Sequence, residues 1–263
     1  MRAFMMALVA CGVSVGTVAA EERDKSDKLV SSNKILGAYI YDAQEEAIAD
    51  VNTVVLNQEG KPMFVIAGVG GVAGIAESEV AIPWKALDCQ CKTENEETTC
   101  KASISMTQEK LSKAPTLDAA DYAELSDMAW LKKNAKYFSA EAPEEPLQKE
   151  NLVCIRSVTD ADISGTDGKS VGHLDALILN AADGQVRYAI IGDGGTVGVG
   201  EEYVAVPFKQ LTFKHGEDDE VKVSINASHQ DVKTAPRVTP SEYPELDLES
   251  VRNRLDERNE EQL

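Results

Sequence analysis

The chain of 263 residues contains few of the residues that most catalytic and metal sites require. It has three histidines, five cysteines and 5% aromatic residues. Basic residues are also scarce, since 26 Lys and Arg stand against 45 Asp and Glu, which gives a formal net charge of -19. Nucleic acids and anionic lipid surfaces are bound through clustered Lys and Arg, so neither is an expected partner.

Long apolar runs are absent except at the N-terminus, where Met1–Ala20 resembles a secretory signal peptide. Its apolar stretch, Ala3–Val18, is shorter than the roughly 20 residues that a transmembrane helix needs. We therefore expect cleavage after Ala20 and a periplasmic protein. The alternative is an envelope lipoprotein, because Leu8–Cys11 resembles a lipoprotein box. A lipidated Cys11 is the one membrane contact that the sequence predicts.

Four cysteines remain after removal of the leader: Cys89, Cys91, Cys100 and Cys154. An even number of cysteines in an oxidising compartment favours disulfides. Cys89 and Cys91 point the same way along a strand, so they should not bond to each other. We expect one bond across a hairpin, Cys91–Cys100, and a second, Cys89–Cys154, that joins the two halves of the chain. A four-thiolate metal site and unpaired thiols remain alternatives.

The strongest pattern in the chain is an internal duplication. Residues 47–57 match residues 170–180, and residues 60–87 match residues 184–211 with the same glycines, proline and lysine. We predict a signal peptide at 1–20, a first repeat at 29–138 with a cysteine-containing hairpin, a linker rich in Pro and Glu at 139–150, and a second repeat at 151–263. Each repeat is expected to fold as its own barrel, with a linker that proteases cut.

Each repeat has the pattern of strands followed by a helix. Residues 48–56 are rich in β-branched side chains, and Val80, Ile82 and Trp84 alternate with smaller residues as in a strand with one buried face. Ser126 and Asp247 are suited to cap a closing helix. The pattern predicts a mainly β fold with helices: two tandem small antiparallel β-barrels, each followed by a helix.

These segments resemble a known family. The second repeat contains, in order, a turn at Asp167–Lys169, an amphipathic strand, a glycine-rich loop and Val206–Phe208, which corresponds to Ile82–Trp84 in the first repeat. This order of segments is similar to that of the PRC-barrel domain. That domain also occurs in the cytoplasmic part of the photosynthetic reaction centre and in a ribosome-maturation factor. The resemblance covers residues 37–87 and 165–211. It implies a partly open, six-stranded antiparallel barrel used in protein interaction or scaffolding, with no shared catalytic residues.

Other motifs could suggest binding sites but favour structural roles. The glycine loops 68–74 and 192–198 precede a strand, whereas a phosphate-binding loop precedes a helix. Residues 160–165 match half of a calcium loop, but Val171 stands where the last ligand should be Glu. The histidines are His173, His215 and His229, each in a polar strand or hairpin. Glu77 and Glu201, and Lys85 and Lys209, recur in both repeats and are expected to form surface ion pairs.

The sequence therefore predicts no enzyme: no catalytic residue, no cofactor and no metal site. The predicted function is a non-catalytic exported module that binds or scaffolds an exported or membrane protein of the bacterial cell envelope. The alternative is a periplasmic protein that binds a small ligand or a divalent cation in the cleft between the two barrels.

Overall fold

The computed structural model describes residues 29–70, 78–94, 97–118, 122–193, 202–216 and 220–246. The first repeat contains β1 (Leu29–Ser31), α1 (Ser32–Ile35), β2 (Tyr39–Tyr41), β3 (Ala47–Asn57), β4 (Pro62–Val69), β5 (Ser78–Pro83), β6 (Asp88–Glu94), β7 (Glu97–Ser103), α2 (Gln108–Leu111) and α3 (Met128–Phe138). The second contains β8 (Leu152–Cys154), α4 (Ile155–Val158), β9 (Asp162–Ser164), β10 (Ser170–Asn180), β11 (Val186–Asp193), β12 (Glu202–Pro207), β13 (Leu211–His215), β14 (Val221–Ile225) and α5 (His229–Thr234). Short 3-10 helices lie at Trp84–Ala86, Ala123–Ser126, Lys149–Asn151, Phe208–Gln210 and Pro240–Glu245.

Each repeat builds one curled sheet, and the two sheets have the same strand order. The order is β5-β4-β3-β2-β7-β6 in the first repeat and β12-β11-β10-β9-β14-β13 in the second. Neighbouring strands are antiparallel except for the parallel pairs β2–β7 and β9–β14, which the sequence pattern does not reveal. The prediction of a mainly β fold with two tandem small barrels is confirmed.

The strands are buried on both faces over part of their length. Val54 and Leu56 point into the barrel core, whereas Val55 between them packs outward with Phe64 and Ile66. In β5, Ala81 is as buried as its neighbours Val80 and Ile82. The prediction of one buried face is therefore wrong for β5, because α3 covers the outer face through Leu131.

Helix α3 follows the first barrel, as predicted, but Ser126 does not cap it. The cap is Asp127, whose carboxylate accepts a hydrogen bond from Ala129 N at 2.8 Å. Ser126 Oγ instead donates to Leu147 O at 2.7 Å and ties the linker to the first repeat. The helix predicted to begin at Asp247 lies outside the described residues, as does the predicted leader with Cys11. Among the described helices, none is long and apolar enough to cross a membrane.

The first strand of each repeat lies in the sheet of the other repeat. β1 pairs with β10, with Val30 opposite Leu179, and β8 pairs with β3, with Val153 opposite Leu56. The short helices that follow dock on the same two strands: Arg156 Nε donates to Asn52 O at 2.7 Å. The two repeats thus exchange equivalent strands.

This exchange joins the two barrels into one hydrophobic core. A single cluster of buried side chains contains Val54 and Ile82 of the first repeat and Ile163 and Val206 of the second. The expectation of two barrels with separate cores is therefore wrong. The physical reason is that each sheet is completed, and part of each core is covered, by chain from the other repeat.

Two glycine turns show how closely the repeats pack. Gly60, with φ of 79°, lies against Phe208 of the second repeat, and Gly184, with φ of 70°, lies against Trp84 of the first. A Cβ atom on Gly184 would lie 2.3 Å from Trp84 Cζ2. Only glycine combines this left-handed backbone with so close an approach. Trp84 and Phe208 thus pack on the core and also form the contact between the repeats.

Candidate interaction surface

The outer face of β2 presents two tyrosines to solvent. The strand alternates, so Ile40 points into the core while Tyr39 and Tyr41 point outward. Tyr39 is 59% exposed, and it is the one exposed large hydrophobic side chain among the described residues. In the second repeat, the matching strand β9 carries Asp162 and Ser164 at these two positions. The aromatic character of this face therefore belongs to the first repeat alone.

The neighbouring strands extend this face. The Lys101 ammonium group of β7 lies 4.6 Å from the centroid of the Tyr41 ring and 3.1 Å from Glu45 Oε1. Gln90 of β6 lies opposite Lys101. A cavity of about 680 Å³ opens between these strands and the turn after β2. We call the outward face of Tyr39, Tyr41, Gln90 and Lys101 the tyrosine surface.

Acidic side chains surround the tyrosine surface. Asp50 lies opposite Tyr39 in β3, and Asp88 lies opposite Ser103 at the start of β6. Glu45 extends from the turn after β2 with its side chain 82% exposed. The turn itself is held by buried Asp42, whose Oδ1 accepts hydrogen bonds from Gln44 N and Glu46 N at 2.8 and 3.0 Å. The surface therefore combines two aromatic rings and one ammonium group with three carboxylates at its edge, of which Glu45 pairs with Lys101.

The predicted Cys89–Cys154 disulfide is wrong, because both thiols are free. Cys89 lines a cavity together with Val65, whose side chain points into the core. Cys154 packs with Phe64, on the opposite face of the same sheet. Burial raises the pKa of each thiol to about 11, and the nearby Asp88 carboxylate contributes at Cys89. Neither thiol has the lowered pKa of a reactive cysteine.

The predicted hairpin bond, Cys91–Cys100, stays a prediction. The two residues lie directly opposite each other in the β6–β7 ladder. Directly opposed residues of an antiparallel pair have Cα atoms about 4.5–5.5 Å apart, within the range that a disulfide spans. The backbone register is thus compatible with the bond.

The other residues singled out from the sequence are not brought together. His215 Nε2 lies 2.8 Å from Leu152 O, and His229 Nδ1 lies 2.7 Å from Ser170 O, so each ring donates to a backbone carbonyl. Lys85 contacts Glu141 at 3.5 Å, while Glu77 and Glu201 lie outside the described residues. Most of the two glycine loops, 68–74 and 192–198, also lies outside the described residues. Across the described parts of the chain, no group of three or more acidic, His or Cys side chains could hold a metal ion.

One cavity in the described part of the chain is lined by both repeats and is small and mostly apolar. Its volume is about 40 Å³, and it is lined by Val30, Val51 and Trp84 of the first repeat and Leu179 of the second. A water molecule occupies about 30 Å³ of the liquid. This cavity therefore has no room for a small organic ligand, and none of the described residues around it forms a group of three or more acidic, His or Cys side chains that could hold a cation.

A polar cluster on the outer side of the first sheet is not indicated by the sequence pattern. Glu79 of β5 accepts a hydrogen bond from Asn52 Nδ2 at 3.1 Å and is also bonded to the Tyr122 hydroxyl. Tyr122 has a left-handed backbone, with φ of 52°. Burial and the Glu79 carboxylate raise the pKa of Tyr122 well above its ordinary value. The available signal was the match between Tyr122 and Tyr243 in the two repeats, which indicates a shared position but not its partners.

Comparison with known proteins agrees with the duplicated fold. The family model of the PRC-barrel domain matches residues 27–98 and 151–230, which together make up more than half of the chain. The exchanged strands β1 and β8 lie at the beginning of the two matched segments. No curated protein matches the chain.

Proposed function

We propose that this chain, which belongs to the PRC-barrel family, is a non-catalytic protein-interaction module of the bacterial cell envelope. The observation that carries the proposal is the exposed Tyr39 on the tyrosine surface. Tyrosine is enriched at protein interfaces, because its ring buries a large area at little entropic cost and its hydroxyl stays hydrogen-bonded. The second repeat has the same backbone without this feature, so barrel stability does not require it.

The charge around the tyrosine surface indicates the chemistry of the partner. Asp50, Glu45 and Asp88 form a negative edge on a chain whose formal net charge is -19. A partner segment with an exposed apolar or aromatic residue beside Arg or Lys is complementary to it. Such a partner would associate faster at low salt, because charges at an interface edge steer association and are screened by ions.

The chemistry of the polar side chains supports a non-catalytic role. A nucleophile is activated by a lowered pKa or by an adjacent base. The pKa values of the Cys154 thiol and the Tyr122 hydroxyl are raised. The Glu79 cluster instead joins β3, β5 and the segment before α3, which is the expected role of a hydrogen-bonded polar network in a fold.

The compartment is part of the same proposal. The leader predicted at residues 1–20 supports export, and the opposed Cys91 and Cys100 suit a disulfide in an oxidising compartment. N-terminal sequencing and intact mass of the protein from its envelope fraction test this. A chain beginning at Glu21 and two hydrogens lighter than the reduced form is expected. A full-length cytoplasmic chain, or a lipid on Cys11, contradicts it.

Site-specific photo-crosslinking tests the interaction surface. A photoreactive phenylalanine analogue is placed at Tyr39 and, as the matched control, at Asp162 on the equivalent strand of the second repeat. After irradiation of intact cells, we expect a cross-linked partner at position 39 that is absent at position 162. Equal products at both positions, or none at either, would contradict a specific role for the tyrosine surface.

A further inference from the structure

A second cavity lies on the opposite side of β4 and β5 from the core, between this sheet, α3 and the linker. Its volume is about 200 Å³. Most of its wall is apolar and includes Phe64, Trp84 and Leu131. We call it the linker pocket, because Ala142 and Pro143 of the linker complete its wall. An engineered apolar cavity of about 150 Å³ binds benzene, so this pocket has room for one substituted ring.

The polar groups of the linker pocket lie at two places, its rim and its helical wall. Lys61 and Lys85 lie at the rim. Two lysines stand against one carboxylate, Glu141, among the charged residues of the pocket, so its rim has a net positive charge in a chain whose net charge is -19. Lys85 pairs with Glu141 at 3.5 Å, but both side chains are largely exposed, at 74% and 90%. Such a surface ion pair contributes little free energy, so a ligand carboxylate can replace Glu141 at small cost.

The helical wall contains an unsatisfied acceptor. Asn134 of α3 lines the pocket and is 1% exposed. Its Nδ2 donates to Ala81 O at 2.8 Å, which fixes the orientation of the amide. Its Oδ1 has no hydrogen-bond partner in the described part of the chain. Buried acceptors are nearly always paired, so this oxygen favours a ligand with an O–H or N–H donor on its ring.

From these three features we propose that the linker pocket binds a small aromatic carboxylate whose ring carries a hydrogen-bond donor. The ring occupies the apolar cavity beside Trp84, the carboxylate reaches Lys85 and Lys61 at the rim, and the ring donor approaches Asn134 Oδ1. The site is on the side of the first repeat that packs against α3, and it is separate from the tyrosine surface. It is therefore independent of the proposed protein contact.

Titration of the mature chain with 4-hydroxyphenylacetate tests this assignment. Trp84 fluorescence in a Trp130→Phe background reports on the pocket, and calorimetry reports on affinity. We expect saturable binding at millimolar concentrations. The uncharged analogue 4-hydroxyphenethyl alcohol should bind more weakly. Absence of saturation by the carboxylate, or equal affinity for the two probes, would overturn the proposal.

Variants separate a specific site from general association. Lys85→Ala is expected to weaken binding by about fivefold, the upper end of what one exposed ion pair contributes. Lys209→Ala, at the matching position of the second repeat, should have no effect. Glu141→Gln should strengthen binding, because it removes the competing carboxylate. Ala142→Phe should abolish binding by filling the pocket from the linker side, with an unchanged melting temperature as evidence of folding. An unchanged affinity in Lys85→Ala or in folded Ala142→Phe would overturn the proposal.

Discussion

Cutting the chain between its two repeats tests the strand exchange. A protease recognition sequence inserted between Glu144 and Glu145 lies in an exposed part of the linker. In separate barrels, each half would remain folded after cleavage and separation. In the exchanged arrangement, each half takes with it a strand that belongs to the other sheet, so the halves should stay associated after the cut and lose their structure when separated.

The structure allows an estimate of the cost of separation. β8 and α4 place Leu152, Val153, Ile155 and Val158 in buried positions, none more than 8% exposed. Burial of one such side chain contributes about 1.5–3 kcal/mol, so these four together contribute up to about 6–12 kcal/mol. Folded domains have a net stability of about 5–15 kcal/mol. Withdrawal of β8 and α4 alone therefore removes an amount comparable with the whole stability of the first barrel, before the loss of β1 from the second sheet is counted.

Size-exclusion chromatography measures whether the halves stay associated, and circular dichroism measures whether they stay folded. After cleavage, the halves should elute together at the position of the uncut chain and melt in one transition. After separation in denaturant, each half alone should lack a cooperative transition, and mixing should restore it. Two halves that each refold alone and melt cooperatively would refute the strand exchange as the basis of stability.

Three further predictions follow from particular contacts. Gly184→Ala should lower the stability by about 2–4 kcal/mol, because the new Cβ meets Trp84 and the backbone is left-handed. Gly168→Ala, where φ is similar but the surrounding space is open, should lower it by about 1 kcal/mol. Equal losses in thermal melts would contradict the close contact between Gly184 and Trp84. Hydrogen bonds from the side chain and backbone of Ser228 lower the pKa of Asp231, so the contribution of this carboxylate to folding stability is present above about pH 4 and is lost as the pH falls through the lowered pKa. Asp231→Asn should therefore flatten the acidic part of the plot of stability against pH, by less than about 1 kcal/mol. Identical plots for the variant and the wild type would be evidence against this role. Cys89 and Cys154 should react slowly with iodoacetamide at pH 7.5 in the native protein and rapidly after unfolding, because burial raises the pKa of both thiols to about 11. Mass spectrometry measures the labelling. Rapid labelling of the native protein would show that the thiols are not buried.

The barrels could be predicted from the sequence because the evidence for them is local and occurs twice. Alternation in β5 and the matching runs at β3 and β10 identify strands whichever strand lies beside them. The sequence did not predict how β1 and β8 pair, because their evidence is equally local. A three-residue apolar strand has the same pattern in either sheet, so the sequence does not distinguish pairing within a repeat from exchange between repeats.

The site was less predictable for a related reason. The Tyr39 side chain is recognisable as an interaction residue only after the strand direction shows that it points outward. The Cys89–Cys154 prediction rested on counting cysteines, which cannot show that the two lie on opposite faces of one sheet. The Glu79–Tyr122 contact joins residues 43 positions apart through a left-handed turn that no local pattern marks.

The central claim is that the tyrosine surface binds a partner protein, and the affinity of the cross-linked partner for purified variants tests it most directly. Tyr39→Ser is expected to weaken binding by about 30-fold, the effect of losing one aromatic residue at the centre of an interface. Asp162→Ser, at the matching position of the second repeat, should bind like the wild type, and raised salt should slow association of both. Equal affinities of Tyr39→Ser and the wild type, with folding intact, would contradict the proposed function.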